Sequence, residues 1–199
     1  ANVKKALETA LGADAKVENV RKTGVLNLYE VQIGNDILYT DEKASHLLIG
    51  HIIDTKTRKD LTQERIEKLS QIKFSDLPLD LAIKQVKGNG KRVVATFEDP
   101  NCGYCKKLAN EFQGMTDITI YTFLVPVFSG PDATEKNRAI WCAPDRAKAW
   151  NDYMIKNVSP PAGKCDTSAL DKVAEAARKL NIRGTPAMFL VDGSRIPGY

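Results

Sequence analysis

One short stretch constrains this chain more than any other: two cysteines that stand between a predicted strand and a predicted helix. The β-branched run Arg92–Glu98 has the sequence RVVATFE, and an Asp-Pro pair closes it. Cys102 and Cys105 follow in the sequence CGYC and open a predicted helix over residues 102–113, which Gly114 ends. Cysteines three positions apart on a first helical turn lie on the same side of the helix, close enough to form a disulfide.

The position of the pair predicts different roles for its two members. Cys102 starts the helix, where unpaired N–H groups and the helix dipole stabilise an anion, and Lys106 and Lys107 add positive potential. The thiolate is the nucleophile in disulfide exchange, and a helix N-terminus lowers the pKa of a CxxC thiol to ~3.5–7.5. Cys105 lies further into the helix and is expected to be more buried. The sequence therefore predicts that Cys102 attacks a substrate disulfide and that Cys105 resolves the mixed disulfide.

Two other interpretations of the cysteine pair are a zinc site and an inert structural disulfide. A structural zinc site uses four ligands, usually in two close pairs. The remaining cysteines, Cys142 and Cys165, have 22 residues between them, and both histidines, His46 and His51, lie in the N-terminal part. The spacing favours redox chemistry over either alternative, and the prediction includes no metal and no cofactor.

The composition is that of an ordinary globular protein and excludes several classes. A chain of 199 residues predicts one domain or two compact ones. The formal charge of +4 comes from 29 basic and 25 acidic residues that are interspersed, without the basic block typical of nucleic-acid binders. No apolar run approaches the ~18 residues of a membrane span, so we expect a soluble chain. The N-terminal residues lack leader features, as in a chain without a signal peptide or one from which it has been removed.

The first sixty residues predict a small α+β unit. An amphipathic helix over residues 3–11 precedes four strand-like runs, over residues 17–21, 26–33, 36–40 and 47–54. A unit of this size buries little surface and is marginal by itself. Dimerisation would stabilise it, and packing on the rest of the chain is the alternative.

The remainder of the chain predicts a connecting helix followed by a sheet with helices on its faces. The connecting helix begins at Leu61 and closes near Leu77-Pro78. The later predicted elements are strands over residues 92–98, 118–124 and 187–191, a hairpin return over 195–197, and helices over 102–113, 132–141, 145–155 and 168–180. Asp132 and Glu135 are interpreted as a capping box that opens the second of these helices.

Thr185-Pro186 is a second candidate part of the site. It directly precedes the predicted strand over residues 187–191. Proline is tolerated at the first residue of a strand because its missing N–H costs little there. Without the cysteine pair, this would be interpreted as a plain turn proline.

These stretches together resemble a known family. FEDPNCGYCKKL over residues 97–108 resembles the active-site stretch of the thioredoxin superfamily, and specifically that of the DsbC-type periplasmic disulfide isomerases. AIWCA over residues 139–143, GTPA over 184–187 and IPGY over 196–199 resemble further stretches of that family. The resemblance covers nearly the whole chain and implies an α/β (α+β) fold in three parts. These are an N-terminal α+β dimerisation domain over residues 1–60, a linker helix over 61–78, and a thioredoxin-like catalytic domain with inserted helices over 79–199.

The resemblance also implies roles around the cysteine pair. Gly103 and Tyr104 would support the active site. Thr185-Pro186 would be a cis peptide that faces Cys102, with a backbone that pairs with an extended substrate strand.

A structural disulfide between Cys142 and Cys165 is a further implication of the resemblance. Both cysteines flank helices of one predicted domain, and an oxidising compartment favours their pairing. In the chain-entropy model a disulfide that closes a loop of this length adds on the order of 3 kcal/mol.

The activity that the resemblance implies is isomerisation. A reduced Cys102 would attack a wrong disulfide in a misfolded secreted protein, allow it to reshuffle and then leave. The implied setting is the periplasm of a Gram-negative bacterium, with a homodimer, chaperone activity, a membrane reductase of the DsbD type and no nucleic-acid partner. The alternatives are a disulfide oxidase or reductase of the same fold, and a mainly chaperone-type peptide-binding dimer.

Two features depart from the family pattern. Many thioredoxin relatives have a buried acid six residues before the first active cysteine, as proton acceptor for the resolving thiol, whereas this chain has Thr96 there. Glu98 and Asp99 are the nearest acids, and the sequence assigns neither a catalytic role. Relatives also continue into a final helix that covers the sheet, whereas this sequence stops at Tyr199.

Overall fold

The computed structural model describes residues 2–12, 16–34, 36–127, 131–160 and 163–198; Tyr199, the end of the IPGY stretch, lies outside them. The chain divides into two compact units, Ala1–Gln71 and Ile72–Tyr199. Both units contain helices and strands, so the mixed α/β prediction is confirmed. Within the described ranges, every helix is too short or too polar to cross a lipid bilayer.

The first unit is an antiparallel sheet covered by one helix. The helix is α1 (Asn2–Leu11), and the sheet has the order β1-β2-β3-β4. Its strands are β1 (Asn19–Lys22), β2 (Tyr29–Ile33), β3 (Asp36–Thr40) and β4 (Leu47–Leu48). The apolar side chains of Val3 and Leu7 on α1 pack with Val17 and Val31 in a small core. Spacing of three and four residues places the helix positions on one face, which is why the amphipathic pattern predicted this helix.

The predicted strand over residues 47–54 is two separate strands. Leu47–Leu48 pairs with β3, whereas β5 (Ile53–Asp54) pairs with β6 (Lys59–Asp60) in a two-stranded ribbon. Between them the backbone of Ile52 binds the start of the next helix: its N–H donates to Thr62 Oγ1 and its carbonyl accepts from the Leu61 N–H. These bonds replace the ladder that a continuous strand would need.

The predicted connecting helix also ends earlier than expected. It is α2 (Leu61–Leu69), with Asp60 as N-cap and Ser70 as C-cap, and it lies in the first unit. Short 3₁₀ turns at Phe74–Asp76 and Leu79–Leu81 follow in place of its predicted last turns. The Ile72 N–H donates to the Gly193 carbonyl, which draws this segment into the second unit instead of continuing the helix.

The second unit is a five-stranded sheet with helices packed against it. The strands are β7 (Ile83–Lys87), β8 (Arg92–Glu98), β9 (Ile118–Leu124), β10 (Ala187–Leu190) and β11 (Arg195–Pro197). Their order is β11-β10-β8-β9-β7, with β8 and β9 parallel and the other pairs antiparallel. The helices are α3 (Gly103–Gly114), α4 (Pro131–Trp141), α5 (Arg146–Lys156) and α6 (Ser168–Lys179).

The centre of this sheet explains why its two parallel strands were the clearest in the sequence. β8 and β9 are almost entirely buried, and a strand covered on both faces is a continuous apolar run. Phe97 and Phe123 stack with ring centroids 4.5 Å apart, and Phe189 meets Phe97 edge-on. β7 is an edge strand whose outward positions are exposed, and the sequence pattern did not reveal it.

The capping box predicted for α4 is wrong. The helix begins at Pro131, so Asp132 lies inside the first turn and is not the N-cap. Its carboxylate instead accepts hydrogen bonds from Asn101 Nδ2, at 3.1 Å, and from Lys136 Nζ, at 2.7 Å.

Candidate active site

The cysteine pair follows strand β8 after a short loop. After Glu98 a short loop turns back, with the Asn101 N–H donating to Asp99 Oδ1 at 2.7 Å and the Cys102 N–H donating to the Asp99 carbonyl at 3.0 Å. Cys102 then takes the N-cap position of α3, and its carbonyl accepts the helical bond from the Lys106 N–H. An aspartate that folds its own loop in this way fixes where the helix starts.

The thiol of Cys102 is held between two backbone groups. Its Sγ accepts from the Cys105 N–H at 3.3 Å and donates to the Thr185 carbonyl at 3.2 Å. The Thr185–Pro186 peptide bond is cis, and it reaches the site from the chain that enters β10. The structure thus brings Cys102, Cys105 and Thr185-Pro186 together, as the sequence grouped them.

Both cysteines of the pair are free thiols, and they differ in their surroundings. Cys102 is 3% exposed and Cys105 is fully buried. Burial raises the pKa of the Cys105 thiol, and the nearby charge of Glu98 raises that pKa further. Cys105 is therefore held as a thiol at neutral pH.

Glu98 is the residue that the sequence analysis left without a role. It is completely buried, and burial raises the pKa of its carboxyl to about 7. The hydroxyl of Thr96, two residues earlier on the same face of β8, donates to Glu98 Oε1. Among the described residues Glu98 Oε2 has no hydrogen-bond partner. A glutamate at the end of an otherwise apolar buried strand was the signal available in the sequence.

The lysines that follow the pair differ in their partners. Lys106 Nζ donates to Asn157 Oδ1 at 3.0 Å and lies 5.1 Å from the centroid of the Tyr153 ring. Lys107 Nζ lies 5.1 Å from the centroid of the Tyr104 ring. The ring of Tyr104 is exposed, and Gly103 leaves open space above its Cα. The surface around Cys102 is therefore open on the α3 side.

Cys142 and Cys165 are joined in a disulfide, with 5.5 Å between their Cα atoms. It links the residue after α4 to the loop that precedes α6. These two cysteines are therefore not zinc ligands together with Cys102 and Cys105. Among the described residues, His, Cys, Asp and Glu side chains form no group of three or more that could hold a metal ion.

Two family models together match almost the whole chain. A thioredoxin-like domain matches residues 79–199, and a disulfide bond isomerase protein N-terminal domain matches residues 1–63. The thioredoxin-like prediction for the second unit is thereby confirmed.

Curated relatives are similar over most of the chain. The chain is 53% identical over 182 residues to a probable thiol:disulfide interchange protein DsbC of Bordetella pertussis, covering 92% of this chain and 64% of that protein. It therefore spans slightly less than two thirds of that relative. It is 30% identical over 190 residues to the thiol:disulfide interchange protein DsbC of Dickeya dadantii, covering 90% of this chain and 75% of that protein.

A solved structure is similar in fold and sequence. The crystal structure of a disulfide interchange protein from Neisseria gonorrhoeae matches with a TM-score of 0.59 and 43% identity, covering 62% of this chain and 89% of that one. A periplasmic thioredoxin-like protein from Salmonella enterica serovar Typhimurium matches with a TM-score of 0.50 and 21% identity, which supports the fold alone.

Proposed function

The chain belongs to the DsbC family of thiol:disulfide interchange proteins, and from that premise we propose that it reshuffles non-native disulfides in secreted proteins through Cys102 and Cys105. One observation carries the proposal. Cys102 is the N-cap of α3 with its sulfur at the Cys105 N–H, while Cys105 is fully buried behind it. Such a pair has one thiol suited to attack and one suited to resolve.

The exchange proceeds by thiolate attack on a disulfide, and each step consumes one thiolate and releases another. The Cys102 thiolate attacks one sulfur of a substrate disulfide, forms a mixed disulfide and releases the other substrate sulfur as a thiolate. That thiolate attacks a second substrate disulfide, and the last substrate thiolate attacks the mixed disulfide and restores the Cys102 thiolate. No net oxidation occurs in this cycle, so the enzyme must start reduced.

Cys105 provides the way out of a mixed disulfide that does not rearrange. It loses its proton, attacks Cys102 Sγ and expels the substrate as a thiolate, so the substrate is reduced and the Cys102–Cys105 pair is oxidised. We propose that the Glu98 carboxylate accepts the Cys105 proton, because it is the charged group that raises the pKa of that thiol and its Oε2 is unpaired among the described residues. A carboxyl with a pKa of about 7 is ionised often enough at neutral pH to accept it.

The backbone beside the pair would hold the substrate. The Thr185 carbonyl lies at the Cys102 sulfur and faces the position of the scissile disulfide. An extended substrate segment could bond to this backbone, since the next residue, Pro186, has no N–H to compete.

The first unit would form a homodimer through its sheet edge. β4 is the last strand of the sheet, and the apolar side chains of Leu48, Ile49 and Ile53 around it are exposed, with Ile49 at 85%. An unpaired strand edge with exposed apolar side chains is suited to pairing with a second copy. Two catalytic units in one dimer would also support chaperone activity toward an unfolded client.

We place the activity in the periplasm of a Gram-negative bacterium, with misfolded disulfide-containing proteins as substrates and a membrane reductase of the DsbD type as electron source. The disulfide between Cys142 and Cys165 supports an oxidising compartment. A pair that must stay reduced in such a compartment needs a dedicated supply of electrons.

Refolding of a scrambled multi-disulfide protein tests the proposal. The reduced chain should restore the activity of that substrate, Cys102→Ser should not, and a Leu48→Lys/Ile49→Lys variant should sediment as a monomer and isomerise more slowly. The function is instead that of an oxidase if the oxidised chain consumes the thiols of a reduced substrate while the reduced chain restores no activity to a scrambled one. A Cys102→Ser chain that suppresses aggregation but leaves disulfides scrambled separates chaperone activity from exchange.

A further inference from the structure

An open cavity lies beside Cys102 at the start of α3. Its volume is about 430 Å³, and Asn101, Cys102, Gly103, Tyr104 and Lys107 line it. The space above the Gly103 Cα is empty, because a Cβ built there would meet nothing within 4 Å among the described residues. Thr185 is not one of the lining residues. A substrate whose backbone bonds at Thr185 therefore has this cavity available for a side chain.

The walls of the cavity are an aromatic face and a cation. The Tyr104 side chain is 55% exposed, and Lys107 Nζ is 5.1 Å from the centroid of its ring. The salt bridges found among the described residues do not include Lys107. An apolar surface that ends in a positive charge suits a ligand group with an apolar stem and a negative tip.

The neighbouring lysines are already engaged. Lys106 binds Asn157 and lies over Tyr153. Lys136 binds Asp132 at 2.7 Å and Asn101 at 2.8 Å. Of these three lysines, Lys107 is the one that lines the cavity.

We propose that Tyr104 and Lys107 recognise an acidic residue next to the attacked half-cystine, so that this chain prefers disulfides flanked by glutamate or aspartate. The side-chain methylenes would lie on the Tyr104 ring while the carboxylate meets the Lys107 ammonium. This inference rests on the proposed exchange at Cys102 and assigns its substrate class. Charge complementarity selects an acidic occupant over an aromatic one that would only stack on Tyr104.

The expected preference is modest and depends on salt. A solvent-exposed ion pair changes an equilibrium or a barrier by a factor of roughly 1.5 to 5. The Debye length is about 8–10 Å at physiological ionic strength and shortens as salt is added. The attraction between two exposed charges is therefore weaker at high salt, and the preference falls.

The test uses the reduced chain and short peptides that carry one cysteine as a mixed disulfide with the uncharged 2-thiopyridyl group. Three peptides differ only in the neighbouring residue, which is glutamate, glutamine or phenylalanine. Attack by Cys102 transfers the peptide sulfur to Cys102 and releases pyridine-2-thione, whose absorbance gives the rate. Mass spectrometry of the same reaction with a Cys105→Ser chain, which cannot expel the peptide, verifies that the peptide is joined to Cys102.

The ratio of the glutamate to the glutamine rate is the readout. We expect a ratio of roughly 2 to 5 for the unchanged chain, near one for Lys107→Gln, and below one for Lys107→Glu. Lys106→Gln is the matched control, since it removes the same charge from the next position; it should leave the ratio unchanged even where both rates fall.

Equal rates for glutamate and glutamine peptides, or a preference for phenylalanine alone, would overturn the inference and leave the exchange itself standing. A ratio lost equally in Lys106→Gln and Lys107→Gln would overturn it too, because it would show a diffuse potential without a recognition site. A chain that releases no pyridine-2-thione from any peptide contradicts the proposed function, and the inference falls with it.

Discussion

The second unit contains two cysteine pairs, which differ in their spacing, their surroundings and their oxidation state. Cys102 and Cys105 lie at the start of α3, Cys105 is fully buried, and the charge of Glu98 raises the pKa of its thiol. Cys142 and Cys165 are 23 positions apart, join the end of α4 to a loop and are bonded to each other. The first pair includes the N-cap of a helix, and the charge of the buried Glu98 acts on it; the second pair is already oxidised to a disulfide. If Cys102 reacts as proposed, the surroundings of the two pairs, and not the presence of two thiols, decide which pair is chemically active.

The largest effect that we expect is on the rate of disulfide exchange, which should depend on the first cysteine pair and not on the second. Cys102→Ser should abolish exchange with a peptide disulfide, because burial keeps the remaining Cys105 protonated. Cys142→Ala/Cys165→Ala should keep the exchange rate of the unchanged chain. Pyridine-2-thione release from an uncharged peptide measures both. A Cys102→Ser chain that still reacts would remove the distinction between the pairs.

The reverse pattern is expected for stability. Cys142→Ala/Cys165→Ala should lower the unfolding free energy of the second unit by about 3 kcal/mol, since the unfolded chain is no longer held in a loop. Urea unfolding followed by tryptophan fluorescence reports this unit, because both tryptophans, Trp141 and Trp150, lie in it. Reductant should lower the midpoint of the unchanged chain but not that of the variant. Equal midpoints for the two chains without reductant would contradict a structural role.

Glu98 makes the stability of the active-site region depend on pH. Its folded pKa is raised from 4.5 to about 7, so the folded state retains a proton that the unfolded state has lost. This contribution is fully present below pH 4.5 and is lost as pH rises through about 7, a decrease of about 3 kcal/mol. Glu98→Gln, whose amide oxygen still accepts from Thr96, should remove the slope. Urea unfolding on both sides of pH 7 measures it, and identical slopes in the two chains would show that Glu98 is not held neutral.

The smallest expected effect concerns the resolving step. If Glu98 accepts the Cys105 proton, Glu98→Gln should slow the expulsion of a preformed mixed disulfide by about 10²-fold near neutral pH. The attack by Cys102 serves as the internal control and should be unchanged. Removing the Glu98 charge also removes one cause of the raised Cys105 pKa. Faster resolution in the variant would therefore show that the carboxylate only repels the Cys105 thiolate.

The fold could be predicted best where burial is complete. The strands β8 and β9 were predicted with their exact limits in the structure, because both are rich in the β-branched and aromatic residues that favour strands. The limits of α2 and the split of residues 47–54 could not be predicted, since they depend on distant partners. Gly193 binds Ile72, and Thr62 binds Ile52. Long-range hydrogen bonds of this kind leave no periodic signal in the sequence.

The two thiols of the candidate site could be predicted from the sequence, but the buried carboxyl of Glu98 could not. CGYC followed by a helix indicated Cys102 and Cys105, because spacing and position carry that information. The sequence did not indicate the proposed role of Glu98, because only the structure reveals that this side chain is completely buried and that its charge acts on Cys105. The capping-box interpretation of Asp132 failed for a related reason, since its partners Asn101 and Lys136 matter more than its spacing to Glu135.

Limited alkylation of the reduced chain tests the central claim most directly. A small excess of iodoacetamide is added after gentle reduction, and peptide mass spectrometry locates the label over time. The account predicts label on Cys102 first, little on Cys105, and Cys142 and Cys165 still joined. Label on Cys105 at the same rate as on Cys102, or opening of the Cys142–Cys165 disulfide before the CxxC pair reacts, would contradict it.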